Sequence, residues 1–205
     1  MLGIDRSAEA IEVARRRAAA AGQASLRFEA VELDAFSTER EFDAVIGRLV
    51  LMYLPDAAAT LRRLRRHLRR GGVIAFQEIA IPLARSVPDA PYFRQCVDWI
   101  LATFAHAGFE IDMGGKLFAT FLAAGLPTPQ MIAAARVEGG PHSPAYEFMA
   151  SILRSLLPVM EGVGVATAAD VAIEGVAERL RKEAVAHNAC IMLPPLVGAW
   201  AQLPT

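Results

Sequence analysis

Short apolar runs alternate with helical patterns through the first eighty residues of the chain. The runs at 1–4, 25–30, 42–47 and 73–76 have the length and the apolar character of strands. Between them, apolar residues recur at three- and four-residue spacing, as they do on one face of an amphipathic helix. Strands that alternate with helices are typical of strand–helix–strand units, so the pattern predicts a parallel sheet.

The helices between these strands carry boundary signals. Ser7 can cap a helix over 8–21, because its hydroxyl can accept a hydrogen bond from a free amide of the first turn. Gly22 suits the end of that helix. Pro55 opens a second helix, which we expect to run until Gly71.

The second half of the chain is mainly helical in pattern, and neither a repeat nor a low-complexity linker interrupts it. This predicts one domain over residues 1–205 with an added helical section. The elements expected here are helices over 92–107, 115–124, 145–160 and 168–187, a weak strand over 131–137 and an apolar run from 190.

Composition narrows the class of protein. Hydrophobic residues make up 54% of the 205 residues and charged residues 21%, which is enough to bury a core. The net charge of -1 argues against a protein that binds nucleic acid through its phosphates. The run 61–70 holds six arginines, but an amphipathic helix with a solvated basic face explains them more simply. We therefore expect no nucleic-acid partner.

A few residue types indicate where the protein is located and whether it binds a metal ion. Cys96 and Cys190 lie far apart, which fits a reducing cytoplasm. Charge at Asp5 and Arg6 leaves no signal peptide visible, and glycine and prolines interrupt the longest uncharged stretch, 117–135, so we expect no membrane span. The four histidines show no metal-ligand spacing, so no metal site is expected.

Polar residues follow the predicted strands at the edge where open parallel sheets bind ligands. A carboxylate there can accept hydrogen bonds from both hydroxyls of a ribose, although Asp5 could equally support the start of the first helix. The residues at the four strand ends are Asp5 and Arg6, then Glu32, Leu33 and Asp34, then Gly47, Arg48 and Leu49, and finally Gln77 and Glu78.

The order of these residues resembles class I S-adenosylmethionine-dependent methyltransferases over roughly residues 2 to 80. The resemblance is carried by Gly3-Ile-Asp5 and by a second, more distinctive set. That set is Phe42-Asp-Ala-Val-Ile-Gly47, Leu54-Pro-Asp56, Leu61-Arg-Arg-Leu64 and Gly71-Gly72. It implies an α/β fold with a Rossmann-like sheet, and methyl transfer from S-adenosylmethionine to a small-molecule acceptor. Residues 1–80 would be the cofactor-binding half, and 81–205 the helical insertion, the substrate side and the last strands.

The resemblance also implies roles for single residues. Asp5 would hold the ribose and Arg6 would lie along the adenine. Glu32 stands where the family usually has an aspartate facing the adenine amino group, with Asp34 as a substitute, and Leu33 supplies the adjoining backbone. Gly47 and Arg48 would border the methionine part and the methyl group. Gln77 and Glu78 would orient the acceptor, or form an ordinary hydrogen-bonded strand end.

One family feature is absent. The first strand and its glycine-rich loop, which in the family precede the ribose aspartate, have no counterpart before Asp5. That strand lies between the strand ending at Asp5 and the strand ending at Gly47, so we expect a sheet that lacks its first strand. Loss of hydrogen bonds to the cofactor would impair binding and transfer, and we interpret the chain as an N-terminally truncated methyltransferase.

Two alternatives stay open at this point. A nicotinamide-dinucleotide oxidoreductase also places an acidic residue such as Asp5 after a strand, although the segment from Phe42 to Gly72 argues against it. A non-catalytic remnant could act through protein contacts, as a homodimer that covers its open sheet edges. Stabilisation by S-adenosylmethionine, by a reduced dinucleotide or by neither separates the three hypotheses.

Overall fold

The computed structural model describes residues 1–205, which form nine strands and seven helices. The strands are β1 (Leu2–Asp5), β2 (Arg27–Ala30), β3 (Phe42–Arg48), β4 (Leu68–Ile79), β5 (Arg85–Val87), β6 (Gln130–Ala134), β7 (Val137–Glu138), β8 (Cys190–Met192) and β9 (Leu196–Gln202). The helices are α1 (Ala8–Ala20), α2 (Ala57–Leu64), α3 (Pro91–His106), α4 (Met113–Ala123), α5 (Ala145–Gly162), α6 (Ala168–Val171) and α7 (Val176–Ala186). None of the helices has the length and apolar composition that crossing a bilayer requires.

The strands form three separate sheets. β1 and β2 pair in parallel, β3, β4, β9 and β6 form a four-stranded sheet in that order, and β5, β8 and β7 form an antiparallel sheet. Within the four-stranded sheet β3 and β4 are parallel, whereas β9 runs antiparallel to both of its neighbours. The predicted α/β fold with parallel strands joined through helices is confirmed.

β1 and β3 are both edge strands, and no hydrogen bond joins them. Asp5 and Gly47 therefore end two strands of separate sheets, with no strand between them. This is the arrangement expected for a Rossmann-like sheet without its first strand.

The four-stranded sheet buries one of its faces. Along β4, Ile74, Phe76 and Glu78 are buried, whereas Val73, Ala75 and Gln77 between them are only half-buried. Helix α4 packs on β4 and β9. The core cluster of 36 buried residues begins at Leu51, so the first fifty residues contribute partly buried side chains to it and no fully buried one.

The helix predicted from Pro55 to Gly71 is shorter in the structure, and this prediction was wrong. α2 ends at Leu64, a 3₁₀ turn follows, and β4 already begins at Leu68. Leu68 pairs with Phe42 of β3 and is buried. Pairing with a distant strand therefore overrides the local helical spacing of the leucines.

Two further differences lie in the second half. The helix predicted over 168–187 is divided into α6 and α7, because Ala172 adopts a left-handed conformation with φ of 46°. Strand β9 was not predicted beyond the start of an apolar run at 190, although it pairs with both β4 and β6. Its partners are far away in the sequence, so local periodicity alone does not reveal it.

Candidate functional site

A cleft of about 520 Å³ lies between β1 and β3, bounded by the two unpaired strand edges. Residues of β1, of β3 and of the segments that follow β1, β2 and β3 line it. A second depression, of about 720 Å³, lies along α1 and β2, and none of the predicted site residues lines it. The cleft between the sheets therefore holds the candidate site.

Five of the six residues predicted to bind the cofactor line this cleft. They come from three strand ends that are separated along the chain by helices and loops. The five are Asp5, Arg6, Glu32, Leu33 and Gly47.

The position of Asp5 is compatible with both roles considered for it, which are support of the start of α1 and binding of a ribose. Its Oδ1 accepts a hydrogen bond from the Ser7 backbone N–H at 2.8 Å, and Ser7 in turn caps α1 by accepting from the Ala10 N–H at 3.1 Å. The second carboxylate oxygen of Asp5 has no partner within the chain, and the side chain is exposed at the cleft. It can therefore accept hydrogen bonds from a ligand while the turn stays intact.

Glu32 and Asp34, the two carboxylates considered for the adenine amino group, lie in different environments. Glu32 lines the cleft together with Leu33, whereas Asp34 does not line it and forms an ion pair with Arg63 of α2. Of the two carboxylates, only Glu32 is placed to meet a ligand.

Packing explains why residue 47 is a glycine, in addition to its place in the cleft. A Cβ at this position would overlap the ring of Phe76 on the neighbouring strand. Phe76 also lines the cleft, so the glycine allows an aromatic ring to form part of its wall.

Arg48 does not line the cleft. It lies opposite Gln77 in the pairing of β3 with β4, and its Nε–H donates to Gln77 Oε1 at 2.9 Å. The structure thus brings a predicted cofactor residue and a predicted acceptor residue into contact with each other. Their assigned roles toward ligands stay predictions.

Glu78 is fully buried, with 0% of its surface exposed. Its Oε1 accepts hydrogen bonds from the backbone N–H groups of Val50, at 3.0 Å, and of Leu51, at 2.8 Å. Burial raises the pKa of the Glu78 carboxyl above its ordinary value, and its Oε2 has no partner. Its role toward an acceptor likewise stays a prediction.

Several cleft residues were not predicted from the sequence. They include Val50, Tyr53 and Leu54 of the turn after β3, and His67, which lies after α2 and packs against Phe36. For the residues of the turn, their position soon after Gly47 was the available signal, since ligand sites form beyond the carboxyl ends of strands. No local signal indicated His67. Burial and the charge of Glu78 raise the pKa of Tyr53 while Arg6 lowers it, so the phenol stays protonated as a hydrogen-bond donor at neutral pH.

Comparison with known proteins adds independent evidence. Trans-aconitate 2-methyltransferase of Azoarcus sp. strain BH72 is 34% identical over 77 residues, 38% of this chain and 28% of that protein. Demethylmenaquinone methyltransferase of Staphylococcus saprophyticus is 31% identical over 122 residues, 58% of this chain and 46% of that protein. The chain therefore spans less than half the length of either of these curated relatives.

A solved structure agrees on the fold. The BH2331 protein of Bacillus halodurans C-125 superposes with a TM-score of 0.61 at 12% identity, over 100% of this chain and 83% of that one. The sequence model of the methyltransferase-domain family matches residues 1–113, which is more than half of the chain and includes every residue that lines the cleft. This protein therefore belongs to the family of S-adenosylmethionine-dependent methyltransferases.

Proposed function

We propose that the chain binds S-adenosylmethionine in the cleft between β1 and β3 and takes part in methyl transfer to a small-molecule acceptor. One observation carries this proposal. Asp5, Arg6, Glu32, Leu33 and Gly47 come from three separate strand ends, yet all of them line the same cleft.

The residues present fit the cofactor in size and in chemistry. A cleft of about 520 Å³ lies within the range of roughly 300–1,000 Å³ that is usual for small-molecule sites. The free oxygen of Asp5 suits ribose hydroxyls, and Leu33 offers an apolar surface for an adenine ring. Glu32 can accept hydrogen bonds from the adenine amino group, and Gly47 together with the Phe76 ring beside it would form the wall at the methionine end.

The chemistry of transfer depends on alignment. S-adenosylmethionine, when bound, would supply an electrophilic methyl group for direct displacement by an acceptor atom, with S-adenosylhomocysteine as the leaving group. The chain would hold the cofactor at the strand ends and orient the acceptor from the side of Arg48 and Gln77. Positioning of this kind supplies much of the rate in a direct displacement.

This placement also suggests which part of the chain binds which molecule. We propose that residues 1–80 hold the cofactor and that the section 81–205 covers the acceptor. Both curated relatives are named for methylation of small organic molecules, which supports an acceptor of that class.

Location and partners belong to the same proposal. We place the protein in the cytoplasm, because Cys96 and Cys190 are both free thiols. We propose no nucleic-acid or membrane partner, and a homodimer as the assembly. The open edge of β6 and the exposure of Ile132 on it, at 64%, support self-association, and neither lies at the cofactor cleft.

Calorimetric titration with S-adenosylmethionine tests the cofactor site. We expect Asp5→Ala to weaken binding by about one to two orders of magnitude for each hydrogen bond lost, since one to a charged group contributes about 1.5–3 kcal/mol. Asp56→Ala is the matched control. Like Asp5, Asp56 accepts a backbone N–H at 2.8 Å, from Ala59, but it does not line the cleft.

Equal affinity of wild type and Asp5→Ala would contradict the ribose assignment. Absence of binding by the wild type would contradict the proposed function as a whole. Binding without transfer to any acceptor would favour the alternative of a non-catalytic protein.

A further inference from the structure

The turn after β3 is held by a residue of the neighbouring strand. The 3₁₀ turn Leu51–Tyr53 has no side-chain cap of its own at Val50. The carboxylate of Glu78 takes that place from β4, because its Oε1 accepts from the amides of both Val50 and Leu51. A carboxylate at the start of a turn satisfies amides that would otherwise lack partners.

This turn needs such support. Leu49 just before it has a positive φ of 52°, a conformation that side chains with a Cβ rarely adopt. Its backbone N–H donates to the Gln77 carbonyl at 2.9 Å, so the three consecutive amides of residues 49–51 all donate to β4. Leu49, Val50, Tyr53 and Leu54 all line the cleft. Glu78 therefore binds the start of the segment that forms one cleft wall.

Glu78 itself is unlike a surface carboxylate. It is fully buried, its second oxygen has no hydrogen-bond partner, and it does not line the cleft. A buried carboxylate is costly in an apolar core, where a hydrocarbon side chain would fill the space at lower cost. Two accepted amide hydrogen bonds from the cleft wall are the interactions that it makes in return.

We propose that Glu78 is a positioning residue for the cofactor cleft. Through the amides of Val50 and Leu51 it fixes the wall formed by Leu49–Leu54, and it thereby sets the affinity for S-adenosylmethionine without contacting that molecule. This inference rests on the proposed function, because it names the affinity of the same cleft.

The chain offers a closely matched control in Glu183. This carboxylate also caps the start of a helix from a different element, since it accepts from the amides of Tyr92 at 2.9 Å and Phe93 at 3.2 Å. It belongs to α7 and lies outside the cleft. Loss of either carboxylate leaves two helix-start amides without partners, but only the loss of Glu78 affects the cleft wall.

The experiment compares S-adenosylmethionine binding by wild type, Glu78→Ala, Glu78→Gln and Glu183→Ala, at a temperature where all four are folded. We expect Glu78→Ala to raise the Kd at least tenfold and Glu183→Ala to change it less than twofold. Glu78→Gln should stay within threefold of wild type, because its amide oxygen can accept the same two hydrogen bonds. If Glu78→Ala does not fold, Glu78→Asp replaces it, since the shorter side chain withdraws the acceptor from both amides.

Amide hydrogen exchange without any ligand gives a second readout. The amides of Val50 and Leu51 should exchange at least tenfold faster in Glu78→Ala than in wild type, and at the wild-type rate in Glu183→Ala. Unchanged affinity in Glu78→Ala, equal weakening by Glu183→Ala, or a Glu78→Gln variant as weak as Glu78→Ala would each overturn the inference. A wild type that fails to bind would instead overturn the proposed function, and the exchange rates would still test how Glu78 holds the turn.

Discussion

At the scale of single residues, Gly47 and Phe76 share one small volume at the end of β3. The ring of Phe76 occupies the space that a Cβ on residue 47 would need, and both residues line the cleft. The Phe76 ring can therefore form part of the cleft wall only because residue 47 has no side chain. A substitution here acts on stability and on the cleft together.

We expect Gly47→Ala to lower the free energy of unfolding by about 1–3 kcal/mol, the usual cost of overfilling a packed site. The ring of Phe76 must move to admit the new methyl group, and it is buried among core residues. Urea denaturation at 25 °C measures the change.

Gly198→Ala is the control for this prediction. Gly198 is also a strand glycine of the same sheet, but a Cβ there would meet Ile132 Cγ2 at an ordinary 3.5 Å. The variant should therefore be neutral or slightly stabilising, because alanine loses less backbone entropy on folding. Equal destabilisation by both variants would show that the space around Phe76 is not the cause.

The placement of residues at the cleft could be predicted from the sequence only where position along the chain decides it. Asp5 and Glu32 follow predicted strands directly, and the structure places both at the cleft. The contact of Arg48 with Gln77, and the burial of Glu78 under the turn after β3, depend on which strands become neighbours. No local pattern contains that information.

At the scale of elements, the arginine-rich segment is engaged within the chain. Arg62 Nη2 donates to the Ala123 carbonyl at 2.8 Å, and Arg65 Nη1 donates to the Gly125 carbonyl at 2.9 Å. Both carbonyls lie at the end of α4, where free acceptors and the helix dipole favour a cation. Arg63 and Arg69 form ion pairs with Asp34 and Asp43. The segment therefore contributes to tertiary structure.

We predict that replacing Arg62 and Arg65 together by alanine destabilises the fold by about 1 kcal/mol, since each exposed cap contributes roughly 0.3–1 kcal/mol. Arg66→Ala is the control, because Arg66 belongs to the same run but has no hydrogen bond or ion pair. Thermal unfolding at low and at high salt measures both variants. A control as destabilised as the double variant would show that general charge, and not capping of α4, is responsible.

Elements with local signals were predicted well. α1 begins after the Ser7 cap, and α3 and α4 start within two residues of their expected positions. The elements that were missed or misjudged depend on distant partners. β9 fits between β4 and β6, and the early start of β4 at Leu68 follows from its pairing with Phe42.

At the scale of the whole molecule, the cleft separates two unequal parts. The β1–α1–β2 unit contributes one fully buried residue, Ile11, which lies outside the 36-residue core cluster. No strand pairing joins this unit to the four-stranded sheet. Little apolar burial and no shared hydrogen-bond ladder predict that this unit opens more readily than the rest.

Native-state hydrogen exchange measures that difference. We expect amides of β1 and β2 to exchange at least tenfold faster than those of β4 and β9, which corresponds to an opening free energy lower by about 1.4 kcal/mol or more. Equal protection in all four strands would show that the molecule opens as one cooperative unit.

The open boundary between β1 and β3 also determines what a bound molecule does to the protein. A ligand in this cleft would contact Asp5 on one side and the wall after Gly47 on the other, and would thus span two parts that no strand pairing connects. Without it, heating should give two overlapping transitions, so a single melting temperature has no clear meaning. With a ligand in the cleft, we expect the two transitions to merge into one. The ligand would then couple the two parts of the molecule, as a strand paired with both β1 and β3 would do.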